Sequence, residues 1–163
     1  MTIKEQINEL NSGVDRLVKC VSSLPEELFL ENLKKWSPRD IVAHLVGWNR
    51  YITAGSIQIM RGELPFYDDD PGENFCNVNA ELIREHSTKD REKLLAELLS
   101  TADGLIKFLE SLDTEDWNRD FGVHHHGQII TIKNTVDELI TDYLHHTVQI
   151  KDWARKRKGV RRS

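Results

Sequence analysis

Ile3, Ile7, Leu10, Val14, Leu17, Val18 and Val21 recur at intervals of three and four residues, the spacing of one helical face, and Thr2-x-x-Glu5 just ahead of them is a capping box. These positions predict a first helix over roughly residues 3–23. "SLPEELF" ends it. Ser37 then stands as an N-cap, Pro38 at the first helical position and Asp40 in the first turn. They open a second helix from Pro38 to about Met60, with a stripe of Ile41, His44 or Leu45, Trp48 and Ile52 and a C-terminal stop at Gly62. Residues 62–77, "GELPFYDDDPGENFCN", read as a long loop, a length that is often functional. A short helix is predicted over about Val78–His86. Leu94, Leu95, Leu98, Leu99, Ala102, Leu105, Ile106, Leu109 and Leu112 mark a third long helix. After a second loop, 113–129, and a strand-like "QIITI", the stripe Val136, Leu139, Ile140, Tyr143, Thr147, Ile150 and Trp153 marks a fourth, Ile132 to about Arg155.

Four helices of about twenty residues with almost no strand signal predict an all-α four-helix bundle with long loops between its helices. At 163 residues the chain is one domain, expected over 1–158, with 159–163 as a basic tail.

Charge modifies this picture. The formal net charge is −5, yet six of the 22 basic groups fall in "RKRKGVRRS" at 155–163, which holds no acid. The remainder is strongly acidic, so nucleic acid is an unlikely partner for the body, and the basic run reads as a solvated tail. No stretch reaches the length of a membrane span, and the opening "MTIKEQINEL" is polar, unlike a secretory leader. Cys20 and Cys76 form no CxxC and fit reduced structural thiols, so a cytoplasmic location is expected.

Candidate chemistry lies on the apolar stripes. His44 sits three residues after Ile41 and four before Trp48. In the fourth helix Leu139, Asp142, His146, Ile150 and Trp153 form one three-four stripe. Asp142 and His146, one turn apart, project toward one point; His44 from a facing helix closes a triangle, which is how bundle cores build metal sites. Two imidazoles and a carboxylate suit Zn, Ni or Fe(II). The same three groups can also satisfy one another as a buried hydrogen-bond network with no metal. Trp48 and Tyr143 are candidate pocket walls, His145 lies at the cleft mouth, and loop 62–77 is placed to cover it. The internal triplet His124, His125 and His126 chelates poorly as consecutive residues, and His86 reads as a solvated helix end. Trp36, Trp117 and Trp153 near helix ends offer more apolar surface than a small bundle readily covers, which predicts a homodimer.

"WSPRDIVAHLVGW" resembles the second-helix motif of the DinB-like superfamily, and "DYLHHTVQI" its fourth-helix motif, a His-x-x-x-His followed by a Gln that here maps to Asp142, His146 and Gln149. "HLVGWNRYI" and "HHTVQIKDWARKRK" look most like the ClbS/DfsB branch. The resemblance implies a four-helix bundle with a His/carboxylate/His or three-His metal triad, often holding Zn or Ni. Aspartate at 142 departs from the commoner histidine. The activities it implies are metal-dependent hydrolysis or thiol transfer on a small electrophile. The alternative it implies is a protective protein of the ClbS/DfsB type that binds a small molecule without a required metal.

Overall fold

A computed structural model describes residues 1–86, 88 and 90–162, with side chains through Arg157. Seven helices are present among them: α1 (Ile3–Ser22), α2 (Glu26–Phe29), α3 (Pro38–Met60), α4 (Cys76–Glu85), α5 (Arg91–Ser111), α6 (Thr114–Trp117) and α7 (Ile132–Arg162). The predicted capping box forms at the start of α1, and the predicted N-cap Ser37 forms a second one with Asp40. The Thr2 hydroxyl accepts from Glu5 N at 3.2 Å while the Glu5 carboxylate accepts from Thr2 N at 3.0 Å. Ser37 and Asp40 make the same reciprocal pair at 3.1 Å each way, satisfying orphan amides at the start of α3.

The long helices α1, α3, α5 and α7 form the bundle. α1 packs on α5 and α7, and α3 packs on the same two. Helices consecutive in sequence, α1 with α3 and α5 with α7, therefore lie across diagonals. This is why the two connections that join them are long. Residues 23–37 carry α2, and residues 112–131 carry α6 and a small hairpin, because each must cross an end of the bundle rather than turn tightly. The core is the aliphatic stripes read from the sequence, among them Leu10, Leu17, Ile41, Leu45, Leu98, Leu105, Val136 and Ile150.

Several expectations are corrected. The predicted strand "QIITI" is a two-residue hairpin, β1 (His124–His125) with β2 (Gln128–Ile129), paired His124 with Ile129 and His125 with Gln128. Its turn residues His126 (φ 51°) and Gly127 (φ 76°) both take positive φ, the conformation of a tight type I′ connection. Thr131 then caps α7, its hydroxyl accepting from Asn134 N at 3.1 Å. The helix predicted to end at about Arg155 continues through the basic run to Arg162. Arg157 pairs with Glu31, which anchors its last described side chain. Trp117 is buried within the chain, its indole N–H donating to Gln6 Oε1 at 2.7 Å, so it does not contribute to the case for a dimer. Cys20 is buried but Cys76 is exposed, so only Cys20 fits as a core thiol.

One close approach matters for the site. A Cβ on Gly47 of α3 would meet Leu82 Cδ2 of α4 at 2.4 Å. The glycine lets α4 lie directly on α3, and that contact carries Asn79 to the neighbourhood of His44. No helix among the described residues is long and apolar enough to cross a membrane.

Candidate metal centre and cleft

α3 and α7 bring the three expected residues together. His44 Nε2 stands 3.0 Å from Asp142 Oδ2, and His146 Nε2 stands 3.2 Å from Asp142 Oδ1. One donor atom from each lies within 4.8 Å of the others. His44 is 3% exposed and His146 8% exposed. Trp36 packs over both imidazoles, at 4.9 Å from His44 and 6.0 Å from His146 between ring centroids, and the two imidazoles meet edge to face at 5.3 Å.

The far sides of both rings are held by amides. Trp48 Nε1–H donates to Asn79 Oδ1 at 2.6 Å, and the same oxygen stands 3.0 Å from His44 Nδ1. The indole can only donate, so that oxygen is an acceptor, and His44 Nδ1 must carry the proton that reaches it. On the other side Gln149 Oε1 takes Nδ1–H of His146 at 3.0 Å. In a neutral imidazole each Nε2 then presents a lone pair toward the carboxylate of Asp142. Acceptors face acceptors, and either a proton on each ring or a cation among the three relieves the conflict. An outer hydrogen bond that fixes the ring and leaves Nε2 available is the arrangement seen around metal-ligating histidines, so the donor set fits a divalent ion.

The electrostatics follow. Burial alone would raise the Asp142 carboxyl, but the hydrogen bonds and positive charge of His146 and His44 outweigh it and hold the group well below the usual carboxylate range. Burial works to lower the His146 imidazole, and the bond and charge of Asp142, with the Gln149 contact, more than offset it, so the ring is raised above its ordinary value.

The triad opens into a cleft of about 1150 Å³. Trp48 lines it, with Tyr67 and Phe75 set edge-on to it at 5.1 and 5.3 Å. These two come from the 62–77 loop, which contributes a wall of the cleft. His145 is exposed on the wall beside His146. Tyr143 is a correction: it is fully buried, its hydroxyl donates to Asn49 Oδ1 at 2.8 Å, and it forms no part of the cleft. Gln149 acts behind His146 rather than on the cleft surface. The histidine triplet is closer to the chemistry than its loop position suggested: His125 and His126 line the cleft opposite the triad's helix, although neither joins the triad. His86 is half-buried between Arg50 and Glu97, and burial first, then Arg50, lowers its imidazole.

A model of the DinB superfamily matches residues 9–150. The chain belongs to the DinB superfamily. Among solved structures the fold is similar to the colibactin self-resistance protein ClbS in complex with double-stranded DNA, at 17% identity and a TM-score of 0.76 over 93% of this chain and 94% of that one. An uncharacterised protein from Escherichia coli UTI89 is similar at 15% identity and a TM-score of 0.77, over 96% and 95%. The mycothiol-dependent maleylpyruvate isomerase is similar at 16% identity and 0.73, over 92% of this chain and 61% of that protein. No functionally curated protein matches the chain in sequence.

Proposed function

We propose that this DinB-superfamily protein holds one divalent ion, Zn or Ni, on His44, Asp142 and His146, and uses it to open a small electrophile by hydrolysis or thiol addition. The observation that supports this reading is the orientation of both Nε2 lone pairs toward Asp142, imposed by Asn79 and Gln149. Such an ion supplies Lewis acidity and brings a water or thiol near neutrality in pKa. The chain's own residues do the rest. Trp48, Tyr67 and Phe75 hold the apolar part of the substrate and exclude water from it. His145, exposed beside the triad, accepts the proton of the attacking nucleophile. The metal-loaded protein should consume an aryl epoxide such as styrene oxide, alone or with a low-molecular-weight thiol. A rate no greater than that of the His146→Ala variant would remove the enzymatic reading.

A second reading rests on the size of the cleft: a protective protein that sequesters a small molecule without turnover and without a required metal, in keeping with a structural neighbour that is a colibactin self-resistance protein. ClbS is also described with double-stranded DNA. Here the cleft lining described includes Asp68, Glu73, Glu138 and Asp142 but no lysine or arginine, a poor surface for phosphates. The reading therefore keeps a small molecule as the ligand. It also keeps the expected homodimer and a cytoplasmic setting. Leu144 and Val148 stand exposed on the outer face of α7, and sedimentation at micromolar concentration showing only a species of 18.9 kDa would remove the dimer.

A further inference from the structure

One turn along α7 from the triad, the cleft has a second polar feature that the metal reading does not use. Glu138 is four residues before Asp142 and lies on the same face of the helix. Opposite it, the 3-10 turn Phe66–Asp68 in the loop after α3 places Asp68 in the wall. The Asp68 side chain is only 6% exposed, yet no hydrogen bond among the described residues reaches its carboxylate. Its nearest polar partner is His125 Nδ1 at 3.9 Å, beyond hydrogen-bond reach. A carboxylate that is buried and lacks hydrogen bonds is costly unless something supplies the missing positive charge. Burial pushes the Asp68 carboxyl up. Burial, then the charge of Asp68, pushes the Glu138 carboxyl up as well. Among the described residues no lysine or arginine lines the cleft, and only the imidazoles of His125 and His126 bring positive charge toward Asp68. Beside them stand the rings of Trp48, Tyr67 and Phe75, whose faces attract cations and whose bodies take apolar carbon.

We propose that Asp68 and Glu138 form the subsite for a protonated amine on the cleft's ligand, so that the small molecules this protein takes are amine-bearing, aromatic or otherwise apolar compounds. This rests on the reading of the cleft as the small-molecule site and adds the class of ligand to it. The subsite lies one turn from the triad, so the amine sits roughly 5–6 Å from the group that faces His44, Asp142 and His146. Asp68 takes the ammonium through hydrogen bonds it otherwise lacks, Glu138 adds charge at the solvent-facing rim, and the aromatic wall covers the adjoining carbons.

The test compares three probes of one shape: phenethylamine, 2-phenylethanol and 3-phenylpropionate. Their binding is followed by protein NMR shifts at about pH 8, where carboxylates are ionised and an alkyl amine stays protonated. It is run on the full chain, with and without added Zn. Wild type should bind the amine about tenfold or more tighter than the alcohol, with the acid weakest. Asp68→Asn and Glu138→Gln should each reduce the preference for the amine while the protein keeps its fold and its affinity for Zn. Glu138→Gln, at the rim, keeps the test open should Asp68→Asn perturb the loop. The idea is overturned if the alcohol binds as well as the amine, if none of the three binds at millimolar concentration, or if both variants keep the wild-type preference. It is also overturned if Asp68→Asn removes a second Zn ion, which would assign the carboxylate to a metal. Zn titration of the same samples reads the triad separately. An amine preference in a protein that takes up no Zn keeps the subsite and removes the metal reading; Zn binding without amine preference does the reverse.

Discussion

His44 Nδ1 and Trp48 Nε1, one turn apart on α3, converge on a single oxygen of Asn79, at 3.0 and 2.6 Å. The indole fixes that oxygen as an acceptor, and the acceptor fixes which imidazole nitrogen carries the proton. The position of Asn79 depends in turn on Gly47, which lets α4 approach α3. The reactive edge of His44 is thus set by a residue that never faces the ion.

Asn79→Leu removes the acceptor and frees the His44 ring to rotate. The affinity for Zn should fall about 10–100-fold, the usual cost of an outer-shell partner, while the triad residues themselves are unchanged. Isothermal titration of both proteins measures it; an unchanged Kd would show that His44 is oriented by packing against Trp36 instead.

Asp142 distinguishes a ligand from a hydrogen-bond acceptor. Asp142→His restores a three-imidazole set and should keep or tighten Zn or Ni binding. Asp142→Asn, neutral, should weaken it strongly. If Asp142 only accepted from its neighbours, Asn would keep most of that role at a cost of ~1 kcal/mol, while His would overfill the site at ~1–3 kcal/mol. Metal affinity and unfolding midpoint measured on the same two variants separate the cases.

Asp68 makes a prediction about stability and pH. Its carboxyl is raised in the fold by burial, against the lowering charges of His125 and His126, above an unfolded value near 3.9. The folded state therefore binds this proton more tightly. The contribution to stability is fully present below the unfolded value and is lost as pH rises through the raised folded one. Asp68→Asn should accordingly be more stable than wild type at neutral pH, by about 1 kcal/mol, with the gap closing as both are acidified below about pH 4. Glu138 is raised by burial and then by the charge of Asp68, so its own upward shift shrinks in the variant and adds to the gap at neutral pH in the same direction. Urea unfolding at several pH values checks this; a destabilised variant at neutral pH would mean that the carboxylate is already satisfied.

The fold was legible where residues repeat with helical period. The stripes of α1, α3, α5 and α7 bury one face each, and burial is what the period records. Asp142 and His146 were legible for the same reason, since i and i+4 share a face without knowledge of neighbours. What depends on packing between elements was not. Asn79 reaches His44 only because Gly47 admits α4, and no local pattern encodes that contact. Tyr143, next in sequence to Asp142, is turned about 100° around the helix into the core, where Asn49 takes its hydroxyl. The hairpin was misplaced because its signal is one His126–Gly127 turn rather than an alternating strand. In the acidic run 68–70, Asp68 alone belongs to the 3-10 turn that faces inward; composition treats all three alike.

His124, His125 and His126 replaced together by serine should leave the tightest metal site intact, because none of them is within the triad's cluster. Binding of small molecules should change, since His125 and His126 line the cleft. Loss of the tight site in the triple variant would move the metal chemistry to the hairpin.

Metal analysis of protein purified without a histidine tag tests the central claim most directly. Wild type, His44→Ala and His146→Ala are each equilibrated with Zn, dialysed, and assayed for metal by mass spectrometry and for helix content by circular dichroism. Wild type should retain one ion per chain, and both variants should lose it with their helices intact. A wild-type protein that retains no ion, or either variant retaining metal at wild-type stoichiometry, would contradict the assignment of His44, Asp142 and His146 as its ligands.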